Sequence, residues 1–373
     1  MPAIVKKLRE LAAGLLLTAV SLAVMFVIAE IVLRFLPVST GLATTPVDSL
    51  HPTFHFEPNR EFVYSRDWNL AYANRGRTNN FGWVNNRAYD SSATSPLLAV
   101  VGDSYVEAAI VPFDSTIHGR LATTVGARGR VYSFGVAGAA LSQYLAEAAY
   151  ARDVFRPTGM AIVIVGNDFD ESLSRYRATS GHHQFRETPS GLVLARNDRP
   201  ASLGRAVMRR SAVARYAVLN LRVQDALARV KAYFAKPATQ TFVGNTSAEA
   251  SAARLADSKR VVNTFLQSLP EYSGLAPQRV VFVVDAVRSA IYSPGDSVAI
   301  AASYFAIMRS YFVETARAAG FEVIDLQPVF AQHFAREAKR FEFPTDGHWN
   351  GMAHGVAATA LEQSRVYRAV FAR

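Results

Sequence analysis

Five short runs of mainly apolar residues, LLAVVG (97–102), RVYSF (130–134), MAIVIV (160–165), RVVFVV (279–284) and FEVID (321–325), recur along the chain with helix-like stretches between them. A strand that is apolar on successive residues has no face to give to water. It must be covered on both sides, as parallel strands joined by helices are. The expectation is therefore an α/β fold, a five-stranded parallel sheet sandwiched between helices.

Cysteine is absent from the 373 residues, so disulfides, thiolate metal sites and cysteine nucleophiles are excluded together. The length is ample for a full core. The formal charge of +10 is spread along the chain rather than gathered in an aromatic and basic module, which argues against a nucleic-acid partner. One basic stretch, Arg205, Arg209, Arg210 and Arg215 with Lys231 and Lys236 further on, otherwise reads as helical. Its charges suit either a solvated helix face or attraction to anionic lipid headgroups or an acidic glycan.

The amino-terminal residues differ in kind from the rest. Lys6, Lys7 and Arg9 precede a run from Leu11 to Ala29 that carries no charge and is long enough to span hydrocarbon. Glu30 and Arg34 follow at a spacing that pairs them across one helical turn, and Pro37 ends the helix. The expected organisation is a cytoplasmic segment (1–10), a transmembrane anchor (11–36), an extracytoplasmic lead segment (37–95) and a catalytic domain (96–373), with the basic cluster inside. A cleaved signal peptide is the alternative, disfavoured by the length of the apolar run and the want of a small-residue cleavage site after it. In a two-membrane bacterium this places a single-pass protein in the inner membrane with its domain in the periplasm.

The lead segment is rich in Asn, Gly and aromatic residues, which favours turns over a long helix. Within the domain the strand and helix rhythm stops between about residues 170 and 255. We read this as a largely helical insertion, with a hairpin around HHQFRETPSGLVLA, a helix from about Leu203 to Phe234, and an Ala-rich helix or linker in TSAEASAARLA.

Open α/β sheets place ligands at the carboxyl ends of their strands, where strand order reverses. The first three strands end in VVGDSYVE, FGVAGAALSQY and VIVGNDFDE. In a sheet of order 2-1-3-4-5 these ends are adjacent, and Ser104, Gly138 and Asn167 meet at one crevice. Acyl transfer needs a hydroxyl nucleophile and hydrogen-bond donors aimed at a developing oxyanion. Ser104 supplies the hydroxyl and a backbone N–H, Gly138 an unobstructed N–H, and Asn167 a side-chain amide. A base is still required, and FPTDGHWNGMAHG, near residue 350, offers one.

These residues resemble the SGNH or GDSL hydrolases, flavodoxin-like serine esterases and acyltransferases. The likeness rests on Gly102-Asp103-Ser104, Gly138 in GVAG, Gly166-Asn167-Asp168, and Asp346 with His348, four blocks in the family's order. It implies a flavodoxin-like three-layer sandwich, Ser104 as nucleophile, His348 as general base and Asp346 as the carboxylate that orients it. It also implies no cofactor, and an acylated glycan or lipid as substrate. With the anchor, it points to a membrane acyl donor or a polysaccharide assembly system as partner. Two departures stand out. One residue separates Asp346 from His348 where the family has two, and the second block lacks the Asn before its first glycine, which leaves Gly135 as a rival to Gly138. Residues i and i+2 of an extended chain share a side about 6.6 Å apart, so the shorter spacing still lets a carboxylate reach the imidazole.

Competing readings were weighed against this one. The elbow of classical α/β-hydrolases needs glycine two residues after the serine, and here Val106 stands there. Ser104 could cap a helix, and Asp325 is either a rival triad acid or a helix cap ahead of Pro328. Asp285 and Arg288, after the fourth strand, either touch substrate or form a turn. His182 and His183 read as surface or loop residues. Asn350 reads as an N-cap, which makes His354 a helix residue. Zinc is disfavoured, because no histidine pair has the usual helical spacing.

Overall fold

A computed structural model describes residues 2–224, 241–293, 295 and 297–372. The five apolar runs form one parallel sheet, with strands Leu97–Gly102, Arg130–Gly135, Gly159–Ile164, Val280–Val284 and Glu322–Asp325. Numbered along the chain, their spatial order is 2-1-3-4-5. The Leu97 strand lies between the Arg130 and Gly159 strands, so the order reverses beside it.

The side chains of these strands alternate between two helix layers, as a period of two requires. Val281 and Val283 join a core with Ile117, Leu121, Phe330, Ala353 and Val366 from helices on one face. Phe282, between them, faces the other layer, its ring 5.0 Å from that of Phe312 and 6.0 Å from that of Phe265. In each layer a helix begins at a side-chain cap. Asn350 Oδ1 accepts the Met352 and Ala353 N–H groups, and Ser251 opens the Ala252–Ser273 helix, which ends at Gly274 in the left-handed region (φ 68°).

The chain divides into two compact units. The larger comprises residues 43–61, 76–201 and 237–373 and holds the sheet. Lead-segment residues pack against its sheet. Tyr89 stacks on Tyr132 at 3.8 Å, and its hydroxyl donates to the Ser133 carbonyl at 2.9 Å while accepting the Ser133 N–H at 2.7 Å. The insertion contributes the expected hairpin, His183–Thr188 paired with Gly191–Arg196.

The smaller unit comprises residues 1–42, 62–75 and 202–236. Its helix Pro2–Phe35 contains an 18-residue window with a mean hydropathy of 2.6, and is long and apolar enough to cross a membrane. Near its end Glu30 accepts from Ser211 Oγ (2.9 Å), Ala212 N (2.9 Å) and Val213 N (3.0 Å). Arg34 pairs with Glu30 at 2.7 Å and donates to the Arg210 carbonyl at 3.1 Å. These contacts explain a difference from the expected single helix. The structure has Leu203–Arg210 and then Ala212–Arg215, broken at Ser211, whose side chain caps the second piece. The rest of the expected helix, with Lys231 and Lys236, lies outside the described residues.

Gly135 ends the second strand against the turn that carries Ser104. A Cβ there would stand 2.2 Å from the Glu107 nitrogen and 2.5 Å from the Val106 carbonyl carbon, both backbone atoms that cannot rotate aside. Gly135→Ala should therefore destabilise the protein by about 1–3 kcal/mol, the usual penalty of overpacking, read as a lower urea midpoint with an unchanged slope.

Candidate active site

The Leu97 strand runs into Asp103, and a single helical turn, Ser104–Glu107, follows. Asp103, not Ser104, is the N-cap, its Oδ1 accepting the Tyr105 N–H at 2.8 Å. The Ser104 hydroxyl lies 2.8 Å from His348 Nε2, closer than the 3.3 Å that separates it from Asp103 Oδ2. His348 Nδ1 in turn meets Asp346 Oδ1, which also accepts the His348 backbone N–H at 2.9 Å. A carboxylate can only accept, so Nδ1 carries the ring proton and Nε2 accepts from the serine. The three residues thus form one directed chain of hydrogen bonds across 244 positions of sequence.

Asp346-Gly347-His348-Trp349 is a short strand paired with Glu342–Phe343. What fixes it is a buried polar cluster. Arg288 Nη2 donates to the Gly347 carbonyl at 2.7 Å and to Tyr105 Oη at 2.8 Å, and Tyr105 donates to the same carbonyl at 2.9 Å. Arg288 Nη1 reaches Glu342 at 3.0 Å, and Asp285 lies 3.4 Å from Nη2. Asp285 Oδ1 accepts from Trp349 Nε1 at 2.9 Å. Burial works against the Arg288 charge, but Asp285, with Tyr105 and Glu342, more than offsets it and holds the guanidinium ionised. Asp285 and Arg288 are accordingly buried members of this cluster, at 2% and 7% exposure, rather than exposed turn residues.

Behind the crevice, the loop after the Arg130 strand commits its amides one by one. Val136 N donates to the Gly102 carbonyl (3.2 Å), Ala137 N to Glu107 Oε2 (2.7 Å), and Ala139 N to the Val136 carbonyl (3.0 Å). Gly138 sits among them at φ 79°, a left-handed conformation that glycine adopts without strain. Among the described residues its N–H has no such acceptor, and a Cβ there would meet only side chains at 3.6 Å and beyond. Gly135, by contrast, is bound into the sheet and needed for close approach.

Asn167 follows the Gly159 strand, 7% exposed. Its loop is shaped by Asp168, whose carboxyl accepts the Val165 N–H (2.7 Å) and the Tyr144 hydroxyl (2.9 Å). Asn167 Nδ2 gives one hydrogen to Glu171 Oε2 at 3.0 Å, and an amide nitrogen has a second to give. Its Oδ1 accepts from the Asn245 side chain, on a hairpin that Arg254 ties to Asp170 at 2.8 Å. Burial raises the Asp103 and Asp168 carboxyls above the ordinary range, and it pushes Glu107 up to about 7.

The other candidates fall elsewhere. Asp325 caps the Leu326–Glu337 helix and pairs with Arg309. His354 is buried in the core, accepting the Ile117 N–H at 3.2 Å, and burial lowers it to about 3. His182 is not a surface residue. It is 3% exposed, edge-on to Phe54 at 5.1 Å, and its ring hydrogen-bonds the Gly138 backbone. Among the described residues no group of three or more His, Asp or Glu is placed to hold a metal ion. Asn245 and Glu107 are parts of the site that motif reading does not find, and Arg288, read from sequence as a substrate contact or a turn residue, instead holds the Gly347 carbonyl.

No protein-family profile matches the sequence, and no curated protein matches it. Among solved structures the chain is similar to LAE5, an alpha/beta hydrolase enzyme from the metagenome of Lake Arreo, Spain, at 13% identity over 75% of this chain and 97% of that one, with a TM-score of 0.39. It is similar to a lipase/acylhydrolase from Enterococcus faecalis (11% identity, 73% and 96% covered, TM-score 0.37). A carbohydrate acetylesterase family member from Sinorhizobium meliloti also matches (11% identity, 74% and 100% covered, TM-score 0.36). At TM-scores below 0.5 these are loose likenesses, and neither activity nor substrate passes from them to this chain.

Two measurements test the buried polar groups. Between the ordinary glutamate value, ~4.3, and about 7, the unfolded chain sheds the Glu107 proton while the folded chain keeps it. Stability should therefore fall as pH rises through that window and level off above it. Glu107→Gln, which can still accept the Ala137 N–H, should remove that slope and gain up to about 3 kcal/mol relative to the wild type at pH 8, by denaturant titration at several pH values. Arg288→Met should cost about 3–5 kcal/mol by leaving Asp285 buried without its cation. Adding Asp285→Asn should recover part of that loss.

Proposed function

We propose that the protein is a membrane-anchored, extracytoplasmic serine esterase or O-acyltransferase, acting on small acyl esters, acetyl first among them, of an envelope or secreted glycan. The observation that carries this reading is the hydrogen-bonded sequence Ser104, His348, Asp346 at the carboxyl end of the sheet, beside the point where strand order reverses. The resemblance of the four blocks to SGNH hydrolases supports the same chemistry.

In this mechanism His348 Nε2 takes the Ser104 proton as Oγ attacks the ester carbonyl carbon. Asp346 holds the imidazole in the required tautomer and stabilises the imidazolium that forms. The oxyanion accepts from Ser104 N–H, Gly138 N–H and the second hydrogen of Asn167 Nδ2. Collapse of the intermediate breaks the ester C–O bond, and His348 returns the proton to the leaving alkoxide. The acyl group then sits on Ser104 Oγ until water or a sugar hydroxyl, deprotonated by His348, removes it. No cofactor enters any step. Transfer would draw on a membrane acyl donor, which suits an anchored enzyme.

The uncleaved anchor is supported by Glu30, which caps a helix of the folded unit and would be lost with a leader cleaved beyond it. Hydrolysis of lipid or glycan esters without transfer is the second reading, favoured by the His348 side chain, which is 33% exposed and so open to water.

The full chain in detergent should react covalently with a fluorophosphonate. Ser104→Ala should lose the label entirely, and His348→Ala should label at least about 10³-fold more slowly, as triad members act as a unit. Label that survives Ser104→Ala would sink the site, and a wild type that never labels would favour a non-catalytic scaffold. An acetyl donor supplied with and without a sugar acceptor then separates the two activities, since only a transferase yields acetylated sugar.

A further inference from the structure

The smaller unit carries a surface that the chemistry above does not use. Leu11 to Ala29 rises about 28 Å as a helix, close to the thickness of a bilayer's hydrocarbon. Glu30 therefore stands at the outer interface. Because Glu30 caps the Ala212–Arg215 helix, and Arg34 holds the Arg210 carbonyl, the segment from Ser202 to Asn220 is fastened at headgroup level.

The composition of that segment is one-sided. Between Ser202 and Gln224 there are five arginines, at 205, 209, 210, 215 and 222, and no Asp or Glu. The only acids among the described residues of this unit beyond the apolar run are Glu30 and Asp67, and Glu30 is already engaged by three donors and Arg34. Large apolar side chains stand exposed beside this charge. Leu203 is 87% exposed and Trp68 74%, and the Trp68 carbonyl accepts the Tyr216 hydroxyl at 2.6 Å. Leu221 and Val223 are exposed as well. Exposed leucine and tryptophan next to arginine suit a surface lying in the headgroup region, where each basic residue adds attraction to anionic lipid.

We propose that residues 202–224, with the turn at Trp68, form an interfacial surface that binds the anionic phospholipid headgroups around the anchor. This rests on the anchor reading given above. The surface would hold the segment flat on the bilayer.

The cysteine-free chain permits a clean test. Full-length Leu203→Cys and Val20→Cys proteins, each carrying a nitroxide, are placed in nanodiscs of phosphatidylcholine alone or with phosphatidylglycerol. Collisions with lipid-soluble oxygen are compared with those with an aqueous nickel chelate. The label at position 20 should be deep in both lipids. The label at position 203 should shift severalfold toward oxygen when phosphatidylglycerol is present. Arg209→Gln with Arg210→Gln, or high salt, should reverse the shift. A deep label at position 20 with a water-exposed label at 203 in both lipids would overturn this proposal and leave the anchor standing. A water-exposed label at position 20 would overturn both. A label at 203 that answers to added polyuronate and not to lipid would also overturn it, in favour of an acidic glycan.

Discussion

The site depends on how the Gly347 carbonyl is held. Asp346 and His348 flank a residue with no side chain, and their strand pairs with only two residues, so backbone pairing alone would orient the imidazole weakly. Arg288 and Tyr105 both donate to that one carbonyl, and Arg288 is itself fixed by Asp285 and Glu342. Tyr105 is also the residue after Ser104. The same phenol therefore ties the turn of Ser104 to the strand of His348, and the 2.8 Å bond between Ser104 and His348 joins two elements already clamped together. The ionic members lie out of water, where the pair is worth keeping only if every lone pair and proton is answered. Here Trp349 and Tyr292 supply two of those answers, to Asp285 and Glu342 respectively.

Much of this architecture was legible in the sequence, for a physical reason. Strands buried on both faces are mostly apolar, so the runs could be seen, although the fifth is a half-buried edge strand that carries Glu322 and Asp325, and their spatial order of 2-1-3-4-5 agrees with the order assumed. Strand ends that face a crevice must carry small or polar residues, so Ser104, Gly138 and Asn167 announced themselves, and the structure brings them to neighbouring strand ends. Caps are equally local, and Asn350 and Asp325 cap the helices expected of them.

What could not be read depends on partners distant in sequence. Arg288 read as a substrate contact or a turn residue because nothing nearby shows that a carbonyl 59 positions away will need a donor. Asn245 has no motif at all, yet it occupies the Asn167 carbonyl oxygen and thereby decides which way that amide faces. His182 looked like a loop residue because a histidine in polar sequence usually is one, and only the fold reveals Phe54 above it. The break at Ser211 likewise has its cause 181 residues earlier, in the carboxylate of Glu30.

These distant contacts also settle what the shortened spacing between acid and base requires. With one residue between them, Asp346 Oδ1 reaches both the backbone N–H of His348 and its Nδ1, so a single oxygen fixes the start and the far side of the same residue. A longer spacing would release the backbone contact. The shorter one gains rigidity at the base but leaves the intervening peptide without a side chain to anchor it, and that deficit is what Arg288 and Tyr105 make up. The spacing and the buried arginine are thus two halves of one arrangement. Losing the arginine should loosen the imidazole as well as the fold.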